Sequence, residues 1–327
     1  MKFVMAITSV VIGMNVWADG AEDKMKHARR YGAEAHIVLR CVDQDKHSVS
    51  NAHVSAGLYP DGSFENALCF NSYTDTNGVF EMKGKTNGEV TYEVKKNGYY
   101  NTLEQKFLFK LPDVSVSHSR WQPYGMTNTV VLKRMINPVA MCVKRERDGI
   151  KPPVKDEHIG FDFEKGDWVS PHGKGIVADI NMKYGYEAGK IPVLHYRGSV
   201  SFSFPNPLDG AYAMKKEPFS ALVSVYRADT NAVYQREWTF TYDRLSGVRK
   251  EDTRFPESDY LVLRTRSKTD EDGNLVSAHY AKIYGPISAG GGGIYLSFHF
   301  NPNENDSNLE ADTTKNLRNP RDLGFAP

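Results

Sequence analysis

The sequence predicts an all-β protein, an antiparallel sandwich followed by a larger antiparallel β-sandwich or jelly roll. Three observations carry that prediction. Apolar residues alternate over short segments, turn residues recur about every ten positions, and the second half shows no sustained spacing of i, i+3, i+4 and i+7. The 327 residues are 40% apolar and 12% aromatic, enough to fill about two cores. Lys plus Arg number 41 against 40 for Asp plus Glu. The balance also holds locally, at 11 against 10 over residues 35–135 and 25 against 26 over 136–327. Neither half therefore has the basic excess that nucleic acid or an anionic membrane would require.

At the amino terminus Met1-Lys2 precedes an apolar run from Phe3 to Val16, and Val16-Trp17-Ala18 offers small residues at a cleavage position. Residues 1–18 thus read as a signal peptide, too short for a membrane span, and the mature chain is expected to be exported: secreted, periplasmic or at the cell surface. Residues 19–34 are polar and read as a charged linker.

From Ala35 the strands begin. Ile37, Leu39 and Cys41 alternate with Val38, Arg40 and Val42, and Asp43-Gln44-Asp45-Lys46 is a turn. Ala52, Val54, Ala56 and Leu58 form the next alternating set, before Pro60-Asp61-Gly62-Ser63. Thr74-Asp75-Thr76-Asn77-Gly78 is a tight turn into Val79-Phe80-Glu81-Met82, and Asn87-Gly88 and Asn97-Gly98 bracket Val90-Thr91-Tyr92-Glu93-Val94.

These residues carry a resemblance. The ordered set Val42-Asp43, Val49-Ser50-Asn51-Ala52-His53-Val54, Thr74 to Phe80 and Tyr92 to Tyr99 resembles the carboxypeptidase regulatory-like, or transthyretin-like, module, with Asn51 standing where that family often has Gly. The resemblance covers residues 35–135 and implies an Ig-like, prealbumin-like β-sandwich. It also implies an accessory, spacing or adhesion role in an exported protein, with no catalytic residues of its own.

Past a boundary near residue 136 the β pattern continues. Gly198–Phe204, Phe219–Tyr226, Trp238–Tyr242, Tyr260–Arg266, Leu275–Tyr284 and Ile294–Phe300 read as strands of a second domain, 136–316, which resembles no characterised family. Residues 317–327 read as a polar tail, mobile past Asn316.

Candidate chemistry is sparse. Asp162-Phe163-Glu164-Lys165-Gly166-Asp167-Trp168 groups three carboxylates with a Trp, the residue types of a sugar site, and Gly166 suggests a turn that exposes Asp167 and Trp168. Those two residues are the candidate ligand contacts, set against the alternative in which Phe161, Phe163 and Trp168 face a core and the acids sit in solvent. Trp238, Phe240 and Tyr242 share one strand face, which reads as core. Asp270-Glu271-Asp272-Gly273-Asn274 lacks the Gly and Glu positions of an EF-hand and reads as a hairpin turn, and Asn301 to Asn308 reads as a solvated loop. His279 and His299 approach only if their strands pair favourably. Tyr196-Arg197-Gly198-Ser199 matches the tetrapeptide of transthyretin-like hydroxyisourate hydrolases, but it lies outside the first module and lacks that enzyme's His and Arg. Cys41, Cys69 and Cys142 allow one disulfide, Cys41 with Cys69 if their strands are neighbours. No catalytic set, metal site or cofactor is assigned.

Three functions stay open. The first is a non-catalytic binding or adhesion protein for extracellular glycan or a cell-surface component, with the first sandwich as spacer. The second is an extracellular hydrolase of polysaccharide or peptide, with its site in the C-terminal domain. The third is a structural component of a surface assembly, to be known by an exposed strand edge or broad apolar patch.

Overall fold

The computed structural model describes residues 8–102, 105–108, 114–145, 149–189, 191, 195–244, 251–322 and 327. Its contacts divide the chain into two compact units, residues 1–135 with 218–221, and residues 136–217 with 222–327. The short piece 218–221 belongs with the first unit because Ala221 donates its N–H to Asn101 O at 2.9 Å and Ser220 bridges Thr102. Sequence continuity had placed it in the second domain.

The first unit contains helix α1 (Thr8–Tyr31), then β1 (Ala33–Asp43), β2 (His53–Leu58), β3 (Leu68–Tyr73), β4 (Val79–Thr86), β5 (Glu89–Lys95), β6 (Gln105–Leu108), β7 (Ser115–Ser117), β8 (Arg120–Gln122) and β9 (Met126–Leu132). One sheet runs β4-β1-β8-β7, with β9 also on β1, and the other runs β3-β2-β5-β6. Alternation does the sorting. Ile37, Leu39 and Cys41 of β1 turn inward to meet Val54 and Leu58 of β2, Phe80 and Met82 of β4, and Val90 and Val94 of β5. Trp121 closes the core, its indole N–H donating to Thr86 O at 2.8 Å. Gly78 takes φ 74° in the turn before β4, and an added Cβ would lie 2.6 Å from Cys41 O.

Residues 19–34 do not form the expected linker. The chain is helical to Tyr31, Gly32 (φ 74°) donates to Ala28 O at 2.9 Å, and β1 starts at once. Among the described side chains of this helix, Met25 and Ala28, three residues apart on one face, are buried in the core.

The second unit contains β10 (Val139–Lys144), β11 (His158–Asp162), β12 (Asp167–Trp168), β13 (Ile180–Ala188), β14 (Tyr196–Ser203), β15 (Gly210–Lys215), β16 (Glu237–Asp243), β17 (Glu251–Asp252), β18 (Asp259–Thr269), β19 (Leu275–Gly290), β20 (Gly293–Asn301) and β21 (Ala311–Asn316). Two six-stranded sheets, β15-β18-β19-β20-β10-β21 and β12-β11-β13-β14-β16-β17, face each other. Pairing is antiparallel except between β10 and β21, which is parallel. Phe161, Phe163, Met182, Phe202 and Phe240 of one sheet pack on Leu261, Leu263, Ile283, Phe298 and Phe300 of the other, with the Phe163 and Phe298 rings 4.8 Å apart.

The far face of β18 and β19 is buried as well. Tyr260, Val262, Tyr280 and Tyr284 lie under irregular chain that includes Ala228 and Leu309. Lys282 sits here, donating to Ser224 Oγ at 2.9 Å and Leu309 O at 2.6 Å, so its ammonium is hydrogen-bonded in the interior. The described residues of the expected polar tail, 317–322 and 327, are hydrogen-bonded to the second unit. Leu317 N–H donates to Met141 O at 3.0 Å, Arg318 donates to Val143 O at 3.2 Å and Asp322 at 3.0 Å, and Tyr284 Oη donates to Pro327 O at 3.0 Å.

His299 is fully buried on this second face, and burial followed by the Lys282 ammonium holds its imidazole well below the ordinary value of 6.5. The folded state therefore refuses a proton that the unfolded state accepts. Stability should fall as pH drops below about 6.5, by up to about 1.4 kcal/mol per pH unit. Replacing His299→Phe should remove that share of the slope, read from urea melts at about pH 7.5 and about pH 5.

Candidate functional site

The acidic motif of the sequence is drawn together, but around a guanidinium. Arg266 sits at an irregularity of β18 with φ 53°, which swings its side chain toward the other sheet. Nε donates to Asp179 at 2.7 Å, Nη1 to Glu164 at 2.9 Å, and Nη2 to Asp162 at 3.1 Å and Asp179 at 3.0 Å, with the Phe300 ring 4.8 Å below. Burial raises the Asp162 carboxyl, but the N–H groups of Ile176, Lys165 and Val177 together with Arg266 outweigh it and hold it below the usual range. Hydrogen bonding to Arg266 lowers Glu164, whereas burial pushes Asp179 up against the pull of Arg266. These carboxylates are committed to one cation and to backbone amides, which is the arrangement of a structural staple.

Asp167 and Trp168 do not form the exposed pair expected of them. Gly166 does turn the chain, at φ 64°, but β12 then directs Trp168 into the core. The ring is 5% exposed, stands edge-on to Phe161 at 5.4 Å, and donates its indole N–H to Lys151 O at 2.7 Å. Asp167 accepts from Trp168 N at 2.8 Å and Lys174 N at 2.9 Å, so its oxygens fasten the following loop. A glycine turn sets direction, and the apolar ring takes the buried side.

The remaining sequence candidates also resolve. Trp238 stacks on Phe240 at 6.2 Å beside Phe255. His279 stacks on Phe300 at 5.8 Å, while His299 pairs in register with Lys282 on the opposite face, so the two histidines do not meet. Asp270 Oδ1 accepts from Asp272 N and Asn274 N in the β18–β19 hairpin, and Asn301 Nδ2 donates to Asp306 and Asn308 O within its own loop. Asp43, Asp45 and His47 cluster beyond β1, but Asp43 accepts from both neighbouring backbone N–H groups and pairs with Arg134.

Among the described residues, one concave surface of a size to suit a ligand lies in the first unit. Asn51, the start of β2 at His53, the end of β3 at Tyr73, the turn from Lys95 to Tyr99, Asn101 and Met135 enclose a groove of about 810 Å³. Gly98 (φ 79°) makes the turn, and Met135 N–H donates to Gly98 O at 2.8 Å. Tyr73 is 59% exposed and stands edge-on to His53 at 5.3 Å. Lys96 lies 5.7 Å over the Tyr99 ring and donates to Ser50 O at 2.5 Å, while Lys95 pairs with Glu93 at 2.7 Å. Among the described residues, the side-chain amides of Asn51, Asn97 and Asn101 make no hydrogen bond within the chain. The groove therefore offers aromatic faces, unspent amides and two lysines with partners.

The sequence contained these residues as turn chemistry: Asn97-Gly98-Tyr99 and the Asn51 that departs from the module's Gly. What it did not show is that three turns end at one rim.

No protein-family model matches the chain, and comparison with curated proteins finds no match. Among solved structures, 32% of the chain is similar to 62% of 3-chlorocatechol 1,2-dioxygenase from Rhodococcus opacus 1CP, at 13% identity and TM-score 0.26. BcpA, the major pilin subunit of Bacillus cereus, matches over 80% of this chain and 81% of its own, at 10% identity and TM-score 0.25. A streptococcal ancillary pilin matches over 51% and 53%, at 17% identity and TM-score 0.21. The chain spans less than two thirds of the dioxygenase's length. Likeness at these scores carries nothing about activity or assembly.

All three cysteines are free, with Cys41 and Cys142 buried and Cys69 exposed. Burial raises the Cys41 thiol to about 12 and the Cys142 thiol to about 11. Iodoacetamide on the native protein should therefore alkylate Cys69 alone, with Cys41 and Cys142 modified only after unfolding, as peptide mass mapping would read.

When Arg266→Met is made, Asp179 and Asp162 keep their burial and lose their cation. The variant should be less stable by about 3–5 kcal/mol at neutral pH. The deficit should shrink as pH falls through the raised titration of Asp179, because the neutral acid needs no counter-charge; denaturant melts across pH measure both effects.

Proposed function

We propose that the protein is an exported, non-catalytic binding protein whose first unit takes glycan in the groove between Asn51, Tyr73 and Asn101. The groove itself carries this reading. Pyranose rings present apolar C–H faces that stack on Tyr, and vicinal hydroxyls that pair with both halves of an amide. A groove with Tyr73 and Tyr99 beside Asn51, Asn97 and Asn101 supplies both. Its lysines are held by Ser50 O and Glu93, which leaves a neutral ligand the better match than an anion.

In this reading the first unit is a carboxypeptidase regulatory-like module in which recognition has been added at one end of the spacer. Support comes from Gly78 at positive φ before the inward Phe80, and from Gly98 turning the chain ahead of Tyr99. Cleavage after Ala18 fits the helix, since its core contacts Met25 and Ala28 lie beyond that bond. The exported chain should then begin at Asp19, as intact mass would show.

A glycan array followed by titration calorimetry tests the groove. The full chain should bind at least one oligosaccharide class, and Tyr73→Ala and Asn101→Ala should each weaken it by about tenfold with unchanged melting temperature. Absence of binding to every glycan, or affinity indifferent to Tyr73→Ala, overturns the proposal.

A further inference from the structure

Strand β3, Leu68-Cys69-Phe70-Asn71-Ser72-Tyr73, is the end strand of its sheet and, among the described residues, pairs only with β2. Every residue of it is exposed except Phe70, which is half-buried. Its register fixes which backbone groups are spent. Thr74 N–H donates to Ala52 O at 2.9 Å, so the alternation directs Ser72, Phe70 and Leu68 toward β2. The N–H and C=O groups of Cys69, Asn71 and Tyr73 consequently point away from the sheet, and among the described residues no hydrogen bond reaches them.

Edge strands are normally blunted by charge, proline or a bulge. The neighbouring sheet's edge, β4, follows that practice with Glu81, Lys83 and Lys85. In unit two, β21 carries Asp312 and Lys315, β17 is Glu251-Asp252, and the edge of β15 is bridged at Ala211 by Gln235. Strand β3 has none of these protections.

We infer that β3 is an assembly edge, and that its occupant is β3 of a second copy of this chain, antiparallel about a two-fold axis through Asn71. The outward groups set that register. With Asn71 opposite Asn71 of the partner, Cys69 falls opposite Tyr73, and all three outward positions of each strand are hydrogen-bonded. A dyad normal to the sheet keeps Cys69, Asn71 and Tyr73 on the same face in both copies, so the large Tyr ring meets the small Cys side chain and amide meets amide. The strand has no charge, so identical copies meet without repulsion. A charged edge would favour a foreign strand of opposite sign instead. The two four-stranded sheets then become one of eight strands.

Sedimentation equilibrium of the full chain from micromolar to submillimolar concentration tests this. One strand pair is a small interface, so a reversible dimer is expected, not a permanent one. Asn71→Lys places like charges opposite each other at the dyad and should raise the dimer Kd about fivefold, as should Asn71→Glu, while an equimolar mixture of the two should form a heterodimer at least as tight as wild type. Asn71→Pro removes an outward N–H that β2 does not use, together with the Oδ1 that accepts from Ser55 Oγ at 2.9 Å, and should weaken the dimer at least about tenfold, with Asn71→Ala, which loses only the side-chain bond, as the reference for both dimer and thermal melt. A wild-type chain monomeric throughout, or a lysine variant that dimerises like wild type, overturns the inference. Equal weakening by Lys and Glu without rescue on mixing overturns the register.

Discussion

The second unit depends on one guanidinium. Arg266 reaches out of an irregularity in β18 and neutralises Asp162, Glu164 and Asp179, which stand on or beside strands of the facing sheet. A sandwich is held mainly by non-directional apolar contact, which allows its sheets to slide by small amounts. Four charge-assisted bonds of fixed geometry do not allow that. They fix the angle and offset at which Phe161, Phe163 and Trp168 meet Phe298 and Phe300. The cost is specific: a left-handed backbone at a non-glycine residue and two buried carboxylates, tolerated only because the cation is always present.

The same unit departs from a plain two-layer sandwich on its other side. Strands β18 and β19 bury both faces, which antiparallel sheets commonly leave half wet. Irregular chain supplies the covering layer, and it brings polar groups with it. Lys282 and His299 are accommodated by hydrogen bonding and by remaining neutral, respectively.

Much of the first unit was legible because its signals are local. Period-two alternation placed Ile37, Leu39, Val54 and Val94 in a core, and Gly78 and Gly98 occur where a positive φ is needed. The failures came where tertiary context chose between equal local options. Gly166 marked a turn correctly, but a turn does not say which side of the sheet the next ring enters, and Trp168 entered the core. Residues 19–34 read as a linker because apolar contacts spaced along a helix, such as Met25 and Ala28, make no visible run. The groove was invisible because its rim comes from separate turns whose asparagines read as punctuation. The carboxylate cluster looked like chemistry until Arg266, about a hundred positions away, was seen to claim it.

Strand β1 pairs antiparallel with β4 and parallel with β9, so Ile37 to Arg40 lie between near and far neighbours in sequence. The parallel partner, Met126 to Leu132, is the last strand of the unit. Its first sheet is therefore incomplete until nearly the whole module has been synthesised, and closure waits on the slow search for a distant segment. Strand β1 can pair with β4 early, but its other edge stays open until Met126–Leu132 is present, so the first and last strands of the unit lock together in one late step.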